Sequence, residues 1–174
     1  MKEVLLMIDY RSILPEDAPA FWQFLNTLDG QTSFMMYEPG ERIRRTSLAA
    51  LTEDIRQHVI PGGDFLDIAL EGGMIVGFLR AERGTCNRVR HTAYVVTGVL
   101  EGFRGRGVST ALFTRLESWA RTNRITRLEL TVECPNEAAR HLYEKMGFTV
   151  ECIRRNAMLV DGHLGDEYYM ARLL

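Results

Sequence analysis

The chain has 174 residues, of which 46% are hydrophobic and 25% are charged, and these proportions are typical of a globular protein. This length favours a single domain over residues 1–174 with a full hydrophobic core. The net charge of -2, from 21 basic and 23 acidic residues, argues against nucleic acid or an anionic membrane as the main partner.

Two further features of the composition concern cellular location. The N-terminal residues contain no apolar stretch long enough for a signal peptide, and no run in the chain approaches the length of a membrane span. The three cysteines, Cys86, Cys134 and Cys152, are an odd number without the spacing of a disulfide framework or a zinc site. We therefore expect a cytoplasmic protein that binds no metal ion.

The first half of the chain predicts a strand, two helices and a hairpin. Apolar residues at helical spacing predict amphipathic helices on both sides of a loop, and this loop is a candidate lining for an acceptor pocket. Two apolar runs flanking Glu71-Gly72-Gly73 predict an antiparallel hairpin. The predicted bounds are 4–13 for the strand, 15–30 and 48–59 for the helices, 31–45 for the loop, and 65–70 with 74–81 for the hairpin.

The second half predicts two strand-helix units followed by two antiparallel strands. Alternation of apolar and polar residues over 127–134 predicts a strand with two unlike faces, Glu129, Thr131 and Glu133 sharing one of them. Gly98 predicts a bulge where a ligand approaches the backbone. The predicted bounds are 91–99, 108–122, 127–134, 136–146, 148–160 and 167–174, and residues 161–166 form a somewhat long connection between the last two strands.

The turn between the fourth strand and the next helix has the composition of an anion-binding site. Gly105 and Gly107 can adopt positive φ, which lets successive N–H groups converge beside the positive end of the helix. Arg104 and Arg106 add permanent positive charge. A Walker loop would need a lysine after Gly107, and a dinucleotide fingerprint would need a third glycine where Thr110 stands.

The six residues 104–109 resemble the R/Q-x-x-G-x-G/A pyrophosphate-binding motif of the GNAT acyl-CoA N-acyltransferases. Ser109 departs from it, since glycine or alanine is usual there, and Glu101 stands where many members have proline. Residues 130–148 resemble the family's second motif, L-x-V-x-x-x-N-x-x-A-x-x-L-Y-x-x-x-G-F, at every fixed position. The resemblance covers about residues 64–174, and residues 1–63 agree with the family only in the order of their predicted helices and strands.

The second motif is predicted to lie on a helix. One face then carries Asn136, Ala139, Arg140 and Tyr143, while Leu142 and Met146 point toward the sheet. A small residue between an amide and a phenol suits the close approach of an elongated ligand.

This family resemblance implies a fold and a donor site. The fold is α/β of the α+β type, with a mixed sheet of about seven strands, about four helices and a splay between the fourth and fifth strands. The cosubstrate is acetyl-CoA, bound in the cleft of that splay. The residues implied to bind it are Val99, Leu100, Arg104, Gly105, Arg106, Gly107, Val108, Ser109, Thr110, Asn136 and Ala139.

The resemblance also implies the proton transfers. Tyr143 would protonate the departing CoA thiolate, because the high pKa of a phenol keeps it protonated at neutral pH. The base is less defined, because Thr131 and Ala93 stand where many relatives have a glutamate. Glu133 and His91 are the candidates to remove the acceptor's proton through a water, although His91 fits a surface histidine equally well.

We expect an N-acetyltransferase that moves an acetyl group directly from acetyl-CoA to a primary amine on a small molecule, an amino acid or a protein N-terminus. The tail, residues 156–170, resembles ribosomal-protein and amino-acid acetyltransferases. The expected partners are acetyl-CoA and an amine acceptor, and neither nucleic acid nor a membrane is expected. A homodimer is one of the oligomeric states that the sequence leaves open. The alternatives are a ping-pong route through acyl-Cys134, a non-catalytic acyl-CoA-binding or regulatory module, and a different nucleotide-binding enzyme.

Overall fold

The computed structural model describes residues 7–174, which contain seven strands and five α-helices. The predicted first strand is described from Ile8, and its residues 4–6 lie outside the described part. The elements are β1 (Ile8–Ser12), α1 (Ala18–Gln31), α2 (Arg42–Arg45), α3 (Leu48–Asp54), β2 (Phe65–Glu71), β3 (Met74–Arg83), β4 (Thr92–Val99), α4 (Val108–Thr122), β5 (Arg127–Glu133), α5 (Glu137–Lys145), β6 (Thr149–Val160) and β7 (His163–Leu173).

The strands form one mixed sheet in the order β1-β2-β3-β4-β5-β7-β6. The β4 and β5 strands are parallel, whereas β1 with β2, β5 with β7 and β6 with β7 are antiparallel. The parallel ladder comprises three residue pairs and ends where Tyr94 lies opposite Glu129, although β5 continues to Glu133. The predicted α+β fold, with seven strands and a splay after the fourth, is confirmed, and the four-residue α2 makes the helices five rather than about four.

The chain divides into two compact units. The first contains the residues up to Arg80 together with Thr97–Thr114, and the second contains Ala81–Val96 and Arg115–Leu174. The organisation of the chain as one domain stays a prediction.

The core of the first unit is built around aromatic side chains of α1. Phe21 and Phe24 each pack edge-on against Phe78 of β3, with ring centroids 5.4 and 5.8 Å apart. In the last turn of α1, the buried Asp29 accepts two hydrogen bonds from Arg42, at 2.7 and 2.9 Å. This ion pair holds α2, which forms within the predicted loop 31–45, against α1.

The core of the second unit follows the alternation read from the sequence. Leu128, Leu130 and Val132 of β5 are buried, as are Phe148 and Met170. Since opposite residues of an antiparallel pair share a face, Glu129, Thr131 and Glu133 lie together on the other face of β5.

The connection between the last two strands was predicted too long. The β7 strand begins at His163, and only Asp161 and Gly162 separate it from β6. Both residues have positive φ, 49° and 78°, as a type I′ turn requires. Asp-Gly is the preferred sequence for that turn, so the signal was present and residues 163–166 belong to the strand.

Gly98 lies where α1 packs against β4, and the ligand-directed bulge predicted at this residue stays a prediction. A Cβ atom there would lie 2.5 Å from Leu28 Cδ2 and 3.2 Å from Phe78 Cε1. Glycine therefore allows α1 to approach β4 closely. Among the helices described, none is both long and apolar enough to cross a membrane.

Candidate active site

The turn before α4 has the backbone conformation that the sequence predicted. Gly105 and Gly107 have φ of 73° and 80°, and a Cβ atom on either glycine would meet no atom within 4 Å. Ala111 donates the first backbone hydrogen bond of the helix, to Gly107 O at 3.0 Å. The N–H groups before it begin the helix and lack intrahelical acceptors, which makes this end favourable for an anion.

The chain on the N-terminal side of this turn is tied down within the first unit. Leu100 N–H donates to Val76 O at 3.0 Å, and Glu101 N–H donates to the side-chain oxygen of Gln31 at 2.8 Å. Residues Glu101–Phe103 form one turn of 3₁₀-helix. The glycine turn therefore begins from a backbone held by hydrogen bonds at the end of β4.

Both arginines of the turn are exposed and already engaged. Arg106 forms an ion pair of 2.5 Å with Glu71, and its guanidinium lies 5.2 Å from the centre of the Phe103 ring. Arg104 Nε donates to Val99 O at 3.2 Å. The positive charge at the turn is therefore held in place by neighbouring groups.

The residues after Gly107 differ in what they can offer a ligand. Val108 is 2% exposed and its side chain belongs to the core, so its contribution to a ligand would be its backbone N–H. Ser109 and Thr110 are half-buried on the first turn of α4. An open glycine turn, a helix N-terminus and two arginines fit the pyrophosphate of acetyl-CoA.

In the second unit, Asn136 has a structural task at the start of α5. Its Oδ1 accepts a hydrogen bond from Ala139 N–H at 3.2 Å, which makes Asn136 the N-cap of the helix. Its own N–H donates to Glu133 O at 2.9 Å. These bonds fix the turn between β5 and α5. Both predicted cofactor contacts of this helix, Asn136 and Ala139, therefore belong to one cap.

The side of α5 that faces the core differs from the prediction. Tyr143 is the buried residue of the helix, at 9% exposure, whereas Leu142 and Met146 are half-buried. Its ring centroid lies 6.1 Å from that of Phe148. Burial raises the pKa of Tyr143 to about 12, and the nearby Tyr94 adds to the shift. The phenol is therefore a protonated donor at neutral pH.

Glu133 is a buried carboxylate at the end of β5. It is 9% exposed, and among the residues described its Oε1 atom has no hydrogen-bond partner. Burial raises the pKa of Glu133, and the negative charge of Glu167 raises it further. A carboxylate with a raised pKa has a higher proton affinity than an exposed one, which suits proton abstraction.

The other positions considered for the base have different environments. The Thr131 hydroxyl is hydrogen-bonded to the Tyr94 hydroxyl at 2.8 Å. His91 is exposed in the turn before β4, where its carbonyl oxygen accepts N–H bonds from Thr126 and Arg127 at 2.9 and 3.2 Å. Glu133 is at the opposite end of β5, roughly 20 Å away at the rise of an extended strand. The structure therefore does not bring His91 and Glu133 together.

Sequence reasoning missed Glu167 and Arg154. Glu167 faces Glu133 in the β5–β7 ladder, and Arg154 Nη1 donates to Glu167 Oε2 at 2.8 Å. No motif marks either residue. Their pairing also depends on an irregularity of the β6–β7 register between Arg154 and Met158, which the sequence did not reveal.

The helix α5 and the glutamate pair lie on opposite faces of the sheet. Arg140 of α5 stacks 5.6 Å from the ring centre of Tyr168, and Tyr168 shares a face with its register partner Val132. Glu133 and Glu167 point to the other face. Within the described residues, 7–174, no group of three or more His, Cys, Asp or Glu side chains could hold a metal ion.

Known relatives identify the family of this chain. The model of the Acetyltransferase (GNAT) family matches residues 20–148. The L-amino acid N-acetyltransferase AaaT of Escherichia coli K12 is 34% identical over 110 residues, which are 61% of this chain and 66% of AaaT. The acetyltransferase ECA0875 of Pectobacterium atrosepticum is 33% identical over 109 residues, 62% of this chain and 74% of the relative.

Solved structures show the same fold over nearly the whole chain. An acetyltransferase of the GNAT family from Streptococcus pneumoniae superposes with a TM-score of 0.90 at 25% identity, covering 97% of this chain and 99% of its own. A putative acetyltransferase from Salmonella typhimurium, solved with acetyl-CoA, has a TM-score of 0.83 at 19% identity. The match covers 96% of this chain and 94% of that structure's chain. The resemblance seen in the two sequence motifs is thus confirmed, and the chain belongs to the acetyltransferase (GNAT) family, whose activity is acetyl transfer.

Proposed function

We propose that this chain transfers the acetyl group of acetyl-CoA directly to the primary amine of a small molecule, a free amino acid or a protein N-terminus. The observation that carries the proposal is the pair of left-handed glycines, Gly105 and Gly107, that precedes α4, whose first N–H groups have no acceptor within the helix. This is the anion cradle that an acyl-CoA donor needs. The E. coli relative is named an L-amino acid N-acetyltransferase, so free amino acids come first among the acceptors to be tested.

On the donor side, residues Arg104–Thr110 would hold the pyrophosphate with backbone N–H groups and with the two arginines. Val99 and Leu100 would bind the pantetheine and the thioester carbonyl through the backbone at the end of β4. Asn136 and Ala139 would contact the pantetheine arm from the cap of α5. Bound acetyl-CoA supplies an activated acyl group and a thiolate leaving group.

Tyr143 would act as the general acid. A thiolate is a stronger base than water and must take a proton as it leaves, and the Tyr143 hydroxyl can give one because its pKa of about 12 keeps it protonated. Burial excludes bulk water, which would otherwise compete for this task.

Glu133 would act as the general base. An acceptor amine is an ammonium ion at neutral pH and has no free lone pair until it loses a proton. Glu133 combines burial with a raised pKa, which keeps its proton affinity high enough to accept that proton. His91, at the other end of the strand pair, remains the second candidate.

The test is a screen of amine acceptors with acetyl-CoA, in which released thiol is followed spectroscopically. We expect turnover with at least one amine class, and loss of turnover in Tyr143→Phe with acetyl-CoA still bound. Calorimetric binding of acetyl-CoA without turnover on any amine would instead favour the non-catalytic acyl-CoA-binding module. Absence of binding would refute the proposal as a whole.

A cytoplasmic location is part of this proposal. It is supported by the thiols Cys86, Cys134 and Cys152, which are all free in the structure, because a reducing compartment keeps thiols in that state. Whether the chain forms a homodimer is a separate expectation, to be measured by light scattering.

A further inference from the structure

The β5–β7 ladder ends with two glutamates face to face. Glu133 and Glu167 are register partners, so their side chains leave the sheet on the same side. Next to the pair, Cys134 N–H donates to Asp166 O at 2.9 Å, which closes the backbone ladder beyond it. The backbone positions of the two glutamates are therefore set by the sheet rather than by a loop.

Glu133 differs from the other buried acids in the described residues. Of the four acids that are buried there, Asp29 is paired with Arg42, Asp67 accepts from Ser12 Oγ at 2.7 Å, and Glu167 accepts from Arg154. Glu133 Oε1 is enclosed and has no donor within residues 7–174. A buried carboxylate without a donor is costly, and such a group is rarely left so unless a ligand or water completes it.

The charges around the pair indicate the kind of ligand. Within residues 7–174, the two carboxylates have one guanidinium partner, that of Arg154, which donates to Glu167 Oε2 and is half exposed. The balance is negative, so a cation that carries N–H donors fits better than a neutral donor or an anion.

We propose that Glu133 and Glu167 form the subsite that binds the acceptor as its ammonium ion, with Glu133 the residue that takes the proton. This inference rests on the proposed function and adds to it the charge state in which the acceptor enters. Glu167 holds the ammonium beside Glu133, and the hydrogen bond from Arg154 orients Glu167.

The proton count of the reaction is consistent with this assignment. One N–H bond of the ammonium breaks and its proton moves to the Glu133 carboxylate, which leaves a lone pair on nitrogen for attack on the thioester carbonyl. The C–S bond then breaks, and the thiolate takes its proton from Tyr143. The second N–H proton lost on amide formation restores Tyr143, and Glu133 returns its proton to solvent.

The first test detects the subsite without any turnover. The carboxyl carbon of Glu133 is observed by carbon-13 NMR in protein labelled at glutamate, and its signal is identified by its absence in Glu133→Gln. Titration with ethylammonium chloride should shift this signal saturably, and tetramethylammonium chloride at equal ionic strength should not, because it has no N–H donor. No shift, or an equal shift with both salts, would mean that the carboxylate takes water or bulk ions only and would overturn the inference.

The second test uses an acceptor found in the amine screen. Glu167→Gln should raise the KM for the amine about tenfold or more, the cost of one hydrogen bond to a charged group, while the affinity for acetyl-CoA stays unchanged. The matched control is Glu151→Gln on β6, which removes an exposed carboxylate paired with Arg127. It should leave the KM for the amine unchanged.

The two tests separate the inference from the proposed function. Turnover that is insensitive to Glu167→Gln would refute the ammonium subsite and leave the acetyltransferase function standing. A saturable shift of the Glu133 signal in a protein that turns over no amine would support the ammonium subsite and refute the acetyltransferase function.

Discussion

Glu133 and Glu167 lie directly opposite each other on β5 and β7, and both are buried, although among the residues that the structure describes only Glu167 has a cationic partner. An arrangement that contributed only to stability would pair both charges or replace them with apolar groups. The cost that the fold carries at Glu133 therefore supports a functional role for this end of the strand pair.

The free-energy cost of burying the Glu133 carboxylate predicts a pH-dependent gain of stability in the Glu133→Gln variant. Burial and the charge of Glu167 raise the pKa of Glu133, so the folded protein holds this proton more tightly than the unfolded chain does. This tighter binding of the proton at Glu133 contributes fully to the free energy of unfolding below the ordinary glutamate pKa. The contribution is lost as the pH rises through the raised pKa of Glu133. We expect Glu133→Gln to be more stable than the wild type at pH 7, with a difference that shrinks as the medium becomes acidic. Urea unfolding at several pH values measures it, and a less stable variant at pH 7 would contradict the raised pKa.

Tyr143→Phe should separate catalysis from donor binding. The substitution keeps the buried ring beside Phe148 and removes the proton. We expect kcat to fall by about 10²-fold or more, with little change in acetyl-CoA affinity, because the hydroxyl acts only when the thiolate departs. Steady-state kinetics and calorimetry provide the two readouts. Equal turnover in the variant would mean that the thiolate leaves unaided or is protonated by water.

Gly107→Val should weaken acetyl-CoA binding, and Gly102→Val is the matched control. A side chain would meet no atom at either position, but only Gly107 has positive φ. Valine at position 107 has to adopt a strained conformation or rearrange the turn and its N–H groups, a change worth about 10²-fold in Kd. Calorimetry on both folded variants decides the matter. Equal affinities would remove the turn from the donor site.

The base can be assigned from the pH dependence of kcat/KM for two acceptors whose amines differ in pKa. An enzyme base gives an ascending limb at its own pKa, whereas selection of free amine gives a limb that follows the acceptor. We expect the limb to stay fixed between acceptors, to be lost in Glu133→Gln and to persist in His91→Ala. A limb that moves with the acceptor and survives in both variants would exclude both residues.

Gly98→Ala should destabilise the first unit. The new methyl group would lie 2.5 Å from Leu28 Cδ2 and 3.2 Å from Phe78 Cε1, and Leu28 is buried at 1% exposure. We expect a loss of about 1–3 kcal/mol in unfolding free energy, typical of overpacking. Gly30→Ala is the control, since a Cβ atom there meets nothing within 4 Å on the exposed end of α1. A variant at position 98 as stable as the control would show that the contact relaxes at no cost.

The local chemistry of the sequence was sufficient for the elements and for the donor turn. Apolar periodicity predicted α4 with its observed bounds, because the side chains of an amphipathic helix repeat at a fixed interval. Gly105 and Gly107 predicted a left-handed turn because a Cβ atom opposes that conformation in other residues. The alternation in β5 predicted that Glu129, Thr131 and Glu133 share one face, because successive side chains of a strand point to opposite faces of the sheet.

Only the tertiary structure decided which charges meet. Glu167 faces Glu133 because β7 inserts between β5 and β6, and Arg154 reaches Glu167 because the β6–β7 register is irregular, so neither contact follows from spacing along the chain. Glu133 is buried whereas His91 is exposed, and burial raises the pKa of Tyr143. The degree of burial likewise depends on all the elements packed around each group. A sequence determines which side chains can carry chemistry, whereas their desolvation and their neighbours arise from long-range pairing, and those two quantities set their proton affinities.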